Sequence, residues 1–227
     1  MKTGILNFFK TFKLLTSPGG IEGFAAIKYA EYAKDSPLMR DSYKELAAKA
    51  TAEIQKGKIL EVGAGPGFLA IELALLSPEL KITCLDVSDT MIETALKNAR
   101  EYSVAEKIEF KRGDAARMPF EDSEFDFVIS GGSLHHWKKP KKVFNEVYRV
   151  LKEGKKALVS DLRKDAPKEQ VDAVAKEIGS KFMRWGLRKS FSEAYTAQEI
   201  KNLIRDTEFR DYKVDVEDIS LNIWLAK

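Results

Sequence analysis

The sequence predicts an α/β fold with a doubly wound sheet, and three observations carry that prediction. Short apolar runs of strand type alternate with helical stretches, the pattern of successive βα units. Glycines at 63, 65 and 67 join the first apolar run, Ile59-Leu60-Glu61-Val62, to the helix-forming stretch Phe68 to Leu76. An acid, Asp86, closes the next apolar run, Leu80 to Leu85. The chain has 227 residues, enough for one sizeable α/β domain rather than two.

Residues 4–16 carry Ile5, Phe8, Phe9, Phe12 and Leu15 at helical spacing, with Asn7, Lys10, Thr11 and Lys13 opposite. Ser17-Pro18-Gly19-Gly20 breaks that helix. Phe24 to Ala33 reads as a second helix. Asp35-Ser36-Pro37 starts a third, running to about Gln55 and ended by Gly57. Beyond Asp86, Ser88 or Asp89 caps a helix through about Glu101. Ile108 to Lys111 is strand three, closed by Gly113-Asp114-Ala115. Phe125 to Ile129 is strand four, and Ser130 to Trp137 its exit loop. The helix from Lys141 to Leu151 ends at Gly154, and Ala157-Leu158-Val159 with Asp161 is strand five. Residues 166–195 form an insertion with a helix and the basic-aromatic run Phe182 to Arg188. Thr196-Ala197-Gln198-Glu199 is a capping box for the last helix, and 209–216 and 219–227 make two terminal strands.

The glycine spacing excludes two phosphate-binding motifs. A dinucleotide fingerprint needs glycine at its sixth position, where Phe68 stands, and no Lys-Ser/Thr follows as a phosphate-cradling loop requires. What remains is Glu61-x-Gly63-x-Gly65-x-Gly67 with Asp86. Glycine accepts positive φ and lets a ligand lie against the backbone, and an acid at the end of strand two faces the crevice and can accept both hydroxyls of a ribose.

On these residues the chain resembles the class I S-adenosylmethionine (SAM)-dependent methyltransferases, in particular the small-molecule branch that includes the ubiquinone/menaquinone C-methyltransferases. The likeness runs over roughly residues 40–227. It implies one domain over 1–227 with a Rossmann-like seven-stranded sheet, last strand antiparallel, in three α/β/α layers. Residues 1–50 would form an N-terminal helical cover and 166–195 a substrate-side insertion. SAM would be the cofactor, a small molecule the methyl acceptor, and S-adenosylhomocysteine (SAH) the product. No metal is required.

The resemblance also assigns site residues. Glu61 matches the acid that helps to hold the methionine part of SAM; otherwise it is a half-exposed strand residue. Gly63, Ala64, Gly65 and Gly67 form the turn, with Pro66 stiffening it. Asp86 takes the ribose, Val87 lines the same wall, and Met91 packs on the adenine or in the core. Asp114 and Ala115 match the adenine edge, unless Asp114 serves only the turn after Gly113. Ser130 stands at the strand-four exit, where the methyl should point. The chain's two histidines, His135 and His136, lie there, and either imidazole is a candidate base or a mere helix-entry residue. Adjacent side chains point apart, so one at most should face the acceptor. Tyr29, Tyr32, Trp137, Trp185 and Tyr195 are the substrate-side candidates.

Composition narrows the partners. At 44% hydrophobic and 32% charged the chain can bury a core. A net charge of +3 argues against a dedicated nucleic-acid binder. Ser130-Gly131-Gly132-Ser133 stands where exocyclic-amine nucleic-acid methyltransferases carry Asn/Asp-Pro-Pro-aromatic. Lys138 to Lys142 reads as a solvated face. Lys2, Lys10 and Lys13 beside the N-terminal apolar face are few for membrane attachment. A lone cysteine, Cys84, excludes an intrachain disulfide. With no signal peptide and no 18-residue apolar span in view, the expected location is cytoplasmic. Two other functions fit the same motifs: a SAM-binding regulatory or assembly protein that has lost chemistry, and an RNA methyltransferase.

Overall fold

The computed structural model describes residues 21–227. The apolar stripe of residues 4–16 and the break at 17–20 lie outside them. Helices α1 (Gly23–Asp35) and α2 (Pro37–Glu53) lead into β1 (Lys56–Val62), α3 (Phe68–Leu76), β2 (Glu79–Asp86), α4 (Asp89–Glu101) and β3 (Ile108–Arg112). Then follow β4 (Phe125–Gly131), α5 (Pro140–Val150), β5 (Leu151–Leu162), α6 (Lys168–Glu177), α7 (Lys181–Glu193), α8 (Ala197–Arg205), β6 (Asp211–Val216) and β7 (Ser220–Ala226). The seven strands form one sheet in the order β3-β2-β1-β4-β5-β7-β6. β1 with β4, β2 with β3, and β4 with β5 pair in parallel, whereas β7 is antiparallel to both β5 and β6. This is the doubly wound class with a closing antiparallel hairpin.

Two compact units divide the chain. Residues 63–115 and the segment before β1 make the first. Here α3 is apolar on nearly every face, and Phe68, Leu69, Ala70, Ile71, Leu73 and Ala74 are all buried. A helix of that kind needs cover on several sides. α2 supplies one side, with Tyr43 and Phe68 ring centroids 6.0 Å apart. Residues 58–62 and 116–227 make the second unit. Its core holds Phe125, Phe127, Phe144 and Phe209, each almost wholly buried. Arg149 on α5 ties down the segment before β4: it donates to the carbonyls of Met118 and Phe120 and pairs with Glu146 and Asp122.

Several boundaries differ from the sequence reading. Gly57 does not end the helix before it; Ile54 does, in extended backbone, and Gly57 lies within β1. Gly154 is likewise no helix cap. α5 stops at Val150, and β5 begins at Leu151. The β4–β5 register passes from Phe125↔Leu151 to Phe127↔Lys156, so β5 makes an excursion. Gly154 turns that excursion at φ +70°, with its N–H on the Lys227 carbonyl. Ser130 belongs to β4 rather than to its exit loop. The insertion carries two helices, α6 and α7, instead of one.

Gly67 shows why the turn before α3 demands glycine. Its φ is +81°, and a Cβ there would stand 2.9 Å from Ala95 Cβ and 3.3 Å from Ala95 Cα. Backbone on α4 cannot move aside cheaply. Gly67→Ala should therefore cost roughly 2–4 kcal/mol, combining left-handed strain with overpacking. Urea unfolding of the variant checks this, and a loss below about 1 kcal/mol would show that α4 yields.

Candidate functional site

The first unit contains the glycine turn. Its backbone donors are already engaged within the protein. Gly63 and Ala64 N–H both donate to the Leu85 carbonyl, at 2.8 and 3.2 Å, and Gly67 N–H donates to the Ala64 carbonyl at 3.0 Å. Gly65 N–H donates to Asp86 Oδ2 at 2.8 Å, and Pro66 has no N–H to offer. From α4, buried Asn98 donates Nδ2–H to the Pro66 carbonyl at 2.9 Å. A loop that cradles phosphate presents outward-facing N–H groups. This turn instead presents glycine backbone. Gly65, at φ +52°, has open space where a Cβ would stand. A neutral, flat ligand surface suits that space better than a phosphate does.

Asp86 forms the polar rim of the turn. Besides Gly65 N–H, it accepts Ser88 N–H on Oδ1 at 2.9 Å. A carboxylate has about four lone-pair sites, more than these backbone donors use, so it keeps acceptor capacity for an outside hydroxyl. Burial pushes the Asp86 carboxyl above its usual range, and the charge of Glu22 adds to the push, while the Ser88, Gly65 and Val87 N–H groups oppose it.

The remaining first-unit candidates are placed as follows. Ala64 is buried, Met91 is buried at the start of α4, and Val87 is half-buried with its carbonyl on Arg112 Nε–H at 3.4 Å. Ser88 is the N-cap of α4 and accepts Met91 N–H. Asp114 is exposed and Ala115 half-buried, just after Gly113, whose N–H donates to the Asp86 carbonyl at 2.9 Å. Tyr29 and Tyr32 sit half-buried on α1.

The second unit contains Glu61, which is 3% exposed, so it is a buried strand acid rather than a half-exposed one. The exit of β4 is a connected polar cluster. Buried Ser130 donates Oγ–H to the Val62 carbonyl at 2.8 Å, and its oxygen lies 2.7 Å from Ser133 Oγ. Ser133 Oγ in turn accepts Trp137 Nε1–H at 3.1 Å. Trp137 packs edge-on against Phe144, with centroids 5.5 Å apart, which commits its ring to structure.

His135 and His136 fall in a single 3-10 turn, Leu134–His136. Their rings do not point apart. The tight turn brings them together, with centroids 4.0 Å apart and planes tilted by 45°. Asp161, at the end of β5, holds the first of the two. Its Oδ2 accepts His135 N–H at 2.9 Å, and its Oδ1 lies 2.7 Å from His135 Nδ1. Oδ1 also accepts Leu162 N–H at 2.6 Å. A carboxylate accepts and does not donate, so the hydrogen of a neutral His135 sits on Nδ1 and Nε2 is left as the acceptor. The two side chains are 5% and 3% exposed. Sequence reading saw Asp161 only as a strand end. The usable signal was an acid at the carboxyl end of a parallel strand, the same position Asp86 has on β2.

His136 differs from its neighbour. Burial, then the proximity of His135 and Lys189, holds its pKa down to about 4 against the lift from Asp161. α7 packs against this turn. Of the other substrate-side candidates, Trp185 on α7 is 47% exposed, with Lys189 Nζ 5.9 Å over its ring. Tyr195 is half-buried, bridged to Arg163, and burial pushes its hydroxyl pKa up. Among the described residues no three His, Cys, Asp or Glu side chains group as a metal site, and no helix is long and apolar enough to cross a membrane.

Sheet order, glycine turn and strand-end acid define the doubly wound α/β class whose first βα unit is of nucleotide-binding type. Comparison with known proteins gives the likeness. Residues 60–159 match the family described as a methyltransferase domain. A ubiquinone/menaquinone biosynthesis C-methyltransferase from a Ruegeria species is 30% identical over 102 residues, covering 45% of this chain and 41% of its own. A malonyl-[acyl-carrier protein] O-methyltransferase from Legionella pneumophila is 26% identical over 202 residues, covering 86% and 66%. The chain thus spans two thirds or less of the length of these relatives. A crystal structure from Methanococcus maripaludis, solved as a candidate SAM-dependent methyltransferase, superposes with a TM-score of 0.74 at 29% identity, covering 89% of this chain and 92% of that one. The chain is thus similar over residues 60–159 to a methyltransferase domain, and over most of its length to the fold of a candidate SAM-dependent methyltransferase.

The depressed His136 pKa yields a stability prediction. As pH falls, unfolded His136 gains its proton near 6.5 and folded His136 near 4. Between those values the unfolded state binds more protons, so stability is lost as pH falls through that window. The loss from this group is at most about 3 kcal/mol. Urea unfolding at pH 7 and pH 4.5 should show a shallower pH dependence for His136→Gln than for the natural chain. Equal dependence in both would contradict the buried, neutral imidazole.

Proposed function

We propose that the chain transfers a methyl group from SAM to a small-molecule acceptor and releases SAH. The observation that carries this reading is the turn at 63–67, its donors internally spent, with Asp86 at its rim keeping acceptor capacity. A nucleoside needs that surface and that hydroxyl acceptor; a phosphate does not. Gly65 and Gly67 give the adenosyl part room, Asp86 takes the ribose hydroxyls, and Asp114 with Ala115 takes the adenine edge. Glu61 serves the methionine end, where a buried carboxylate suits an ammonium. When bound, SAM supplies an electrophilic methyl on a sulfonium.

His135 acts on the acceptor side as the proton acceptor. The names of the two relatives above specify transfer to carbon and to oxygen. Where methyl replaces hydrogen on carbon or on a hydroxyl, a proton must leave. His135 Nε2 receives it, and Asp161 orients the ring and stabilises the imidazolium that forms. His136, with its pKa held near 4, binds a proton too weakly for that task and lines the turn instead. Residues 166–195, whose α7 packs on the histidine turn, shape the acceptor side, and the helices before β1 serve as cover.

Titration calorimetry should show SAH binding, weakened in Asp86→Ala by roughly 1–3 kcal/mol because two hydroxyls lose their partner. SAH release in the presence of quinols, phenols and carboxylic acids tests transfer itself. His135→Ala and Asp161→Asn should each lower turnover about 10²–10⁴-fold, with SAH affinity unchanged. Full turnover in both variants would leave alignment of the reactants as the whole of catalysis.

A further inference from the structure

The segment preceding α1 reaches the loop that presents Asp86. Glu22 crosses from 67 residues away in sequence to the first turn of α4. Its Oε1 accepts Asp89 N–H at 3.2 Å, and its Oε2 accepts the Thr90 hydroxyl at 2.9 Å. Thr90 Oγ1 in turn accepts Gly23 N–H at 3.2 Å, and the Ser88 hydroxyl is a further partner of the Glu22 carboxylate. At the other end, Lys34 Nζ donates to Glu101 Oε1 at 2.6 Å. α1 and α4 are both 13 residues long. They therefore lie side by side, start to start and end to end. The four buried residues of α1 are all alanine, which lets the two axes approach closely.

The two ends are unequal in strength. Lys34 and Glu101 are 39% and 50% exposed, and a pair of that kind contributes little. Glu22 places an anion on the N-terminus of α4, where helix dipole and unpaired N–H groups favour it. The N–H it takes belongs to Asp89, next to Ser88, and Ser88 N–H is one of the backbone donors that orient Asp86.

We propose that Glu22 is a positioning residue for cofactor binding: it clamps the Ser88-Asp89-Thr90 backbone so that Ser88 N–H stays aimed at Asp86 and the carboxylate keeps its outward orientation. Glu22 does not touch the ribose. Its effect passes wholly through Asp86, so a residue just before α1 contributes to affinity for the adenosyl group. This rests on the reading of Asp86 as the ribose acid.

A double-variant cycle read by calorimetry with SAH tests it. Glu22→Ala in the full chain should weaken SAH binding about five- to tenfold, within the usual range for coupled neighbours. In the Asp86→Ala background the same change should weaken it no further, because the group it positions is gone. A merely structural Glu22 would lower thermal stability and leave affinity alone, or weaken binding equally in both backgrounds; either result overturns the proposal. Thr90→Val, which removes one anchor and keeps the side-chain shape, should act in the same direction and stands in if Glu22→Ala does not fold. Failure of the natural chain to bind SAH would sink the ribose reading itself. Binding by the natural chain with no loss in Glu22→Ala or Thr90→Val sinks only the clamp.

Discussion

The first unit depends on the hydrogen bond from Gly65 N–H to Asp86 Oδ2. It closes the middle of the glycine turn onto the end of β2, where the Gly63 and Ala64 N–H groups already hold the Leu85 carbonyl. Pro66 has no donor, and Gly67 N–H points to the Ala64 carbonyl inside the turn. A carboxylate is the strong acceptor available to the remaining donor, and a charge-assisted bond is roughly twice as strong as a neutral one. The same carboxylate faces burial, which drives its pKa up. Backbone N–H groups offset that drive without consuming every lone pair. A turn held this way is preorganised before any ligand arrives.

That constraint propagates outward along α4. Ala95 comes so near Gly67 that neither position tolerates a larger side chain, and Asn98 one turn later braces the Pro66 carbonyl. Ser88 caps the helix, and Glu22 clamps its first turn from outside. α4 is thus a strut rather than a bystander. Its buried face reads Met91, Ala95, Asn98, Ala99, and the polar member is there to hold the turn.

Much of this was legible in the sequence and some was not, for physical reasons. Asp86 could be placed because its position follows from local order: strand, acid, cap, helix. The glycine turn could be found because positive φ and close approach restrict residue type. The capping box Thr196–Glu199 likewise appears as the sequence implies. His135–Asp161 could not be paired, because the two lie 26 residues apart and meet only through the β4–β5 pairing. The approach of His135 to His136 was misread, since the rule that neighbours diverge fails in a 3-10 turn. Gly57 and Gly154 were taken for helix ends because glycine is the usual stop there. β1 and β5 use them instead as bends, which only strand register reveals. Glu22 carried no sequence signal, for a lone glutamate before a helix has no distinguishing pattern.

Asp86 and Asp161 show one device used for two ends. Each stands at the carboxyl end of a parallel strand, and each accepts two backbone N–H groups from loop or strand-end residues: Gly65 and Ser88 for one, His135 and Leu162 for the other. The difference lies in the third partner. Asp86 takes a further backbone N–H, from Val87, and among the described residues no side chain donates to it. Asp161 receives an imidazole at 2.7 Å, which fixes a tautomer and hands the acceptor function on to Nε2. An amide at 161 could not reproduce this. Its oxygen would serve either the His135 N–H or the ring Nδ1–H, and its NH2 would meet the other, donor against donor. Relief would come by moving the imidazole hydrogen to Nε2, which reverses the ring. The anionic acceptor is therefore required by the count of donors around it, and the tautomer of a neutral His135 follows from that count.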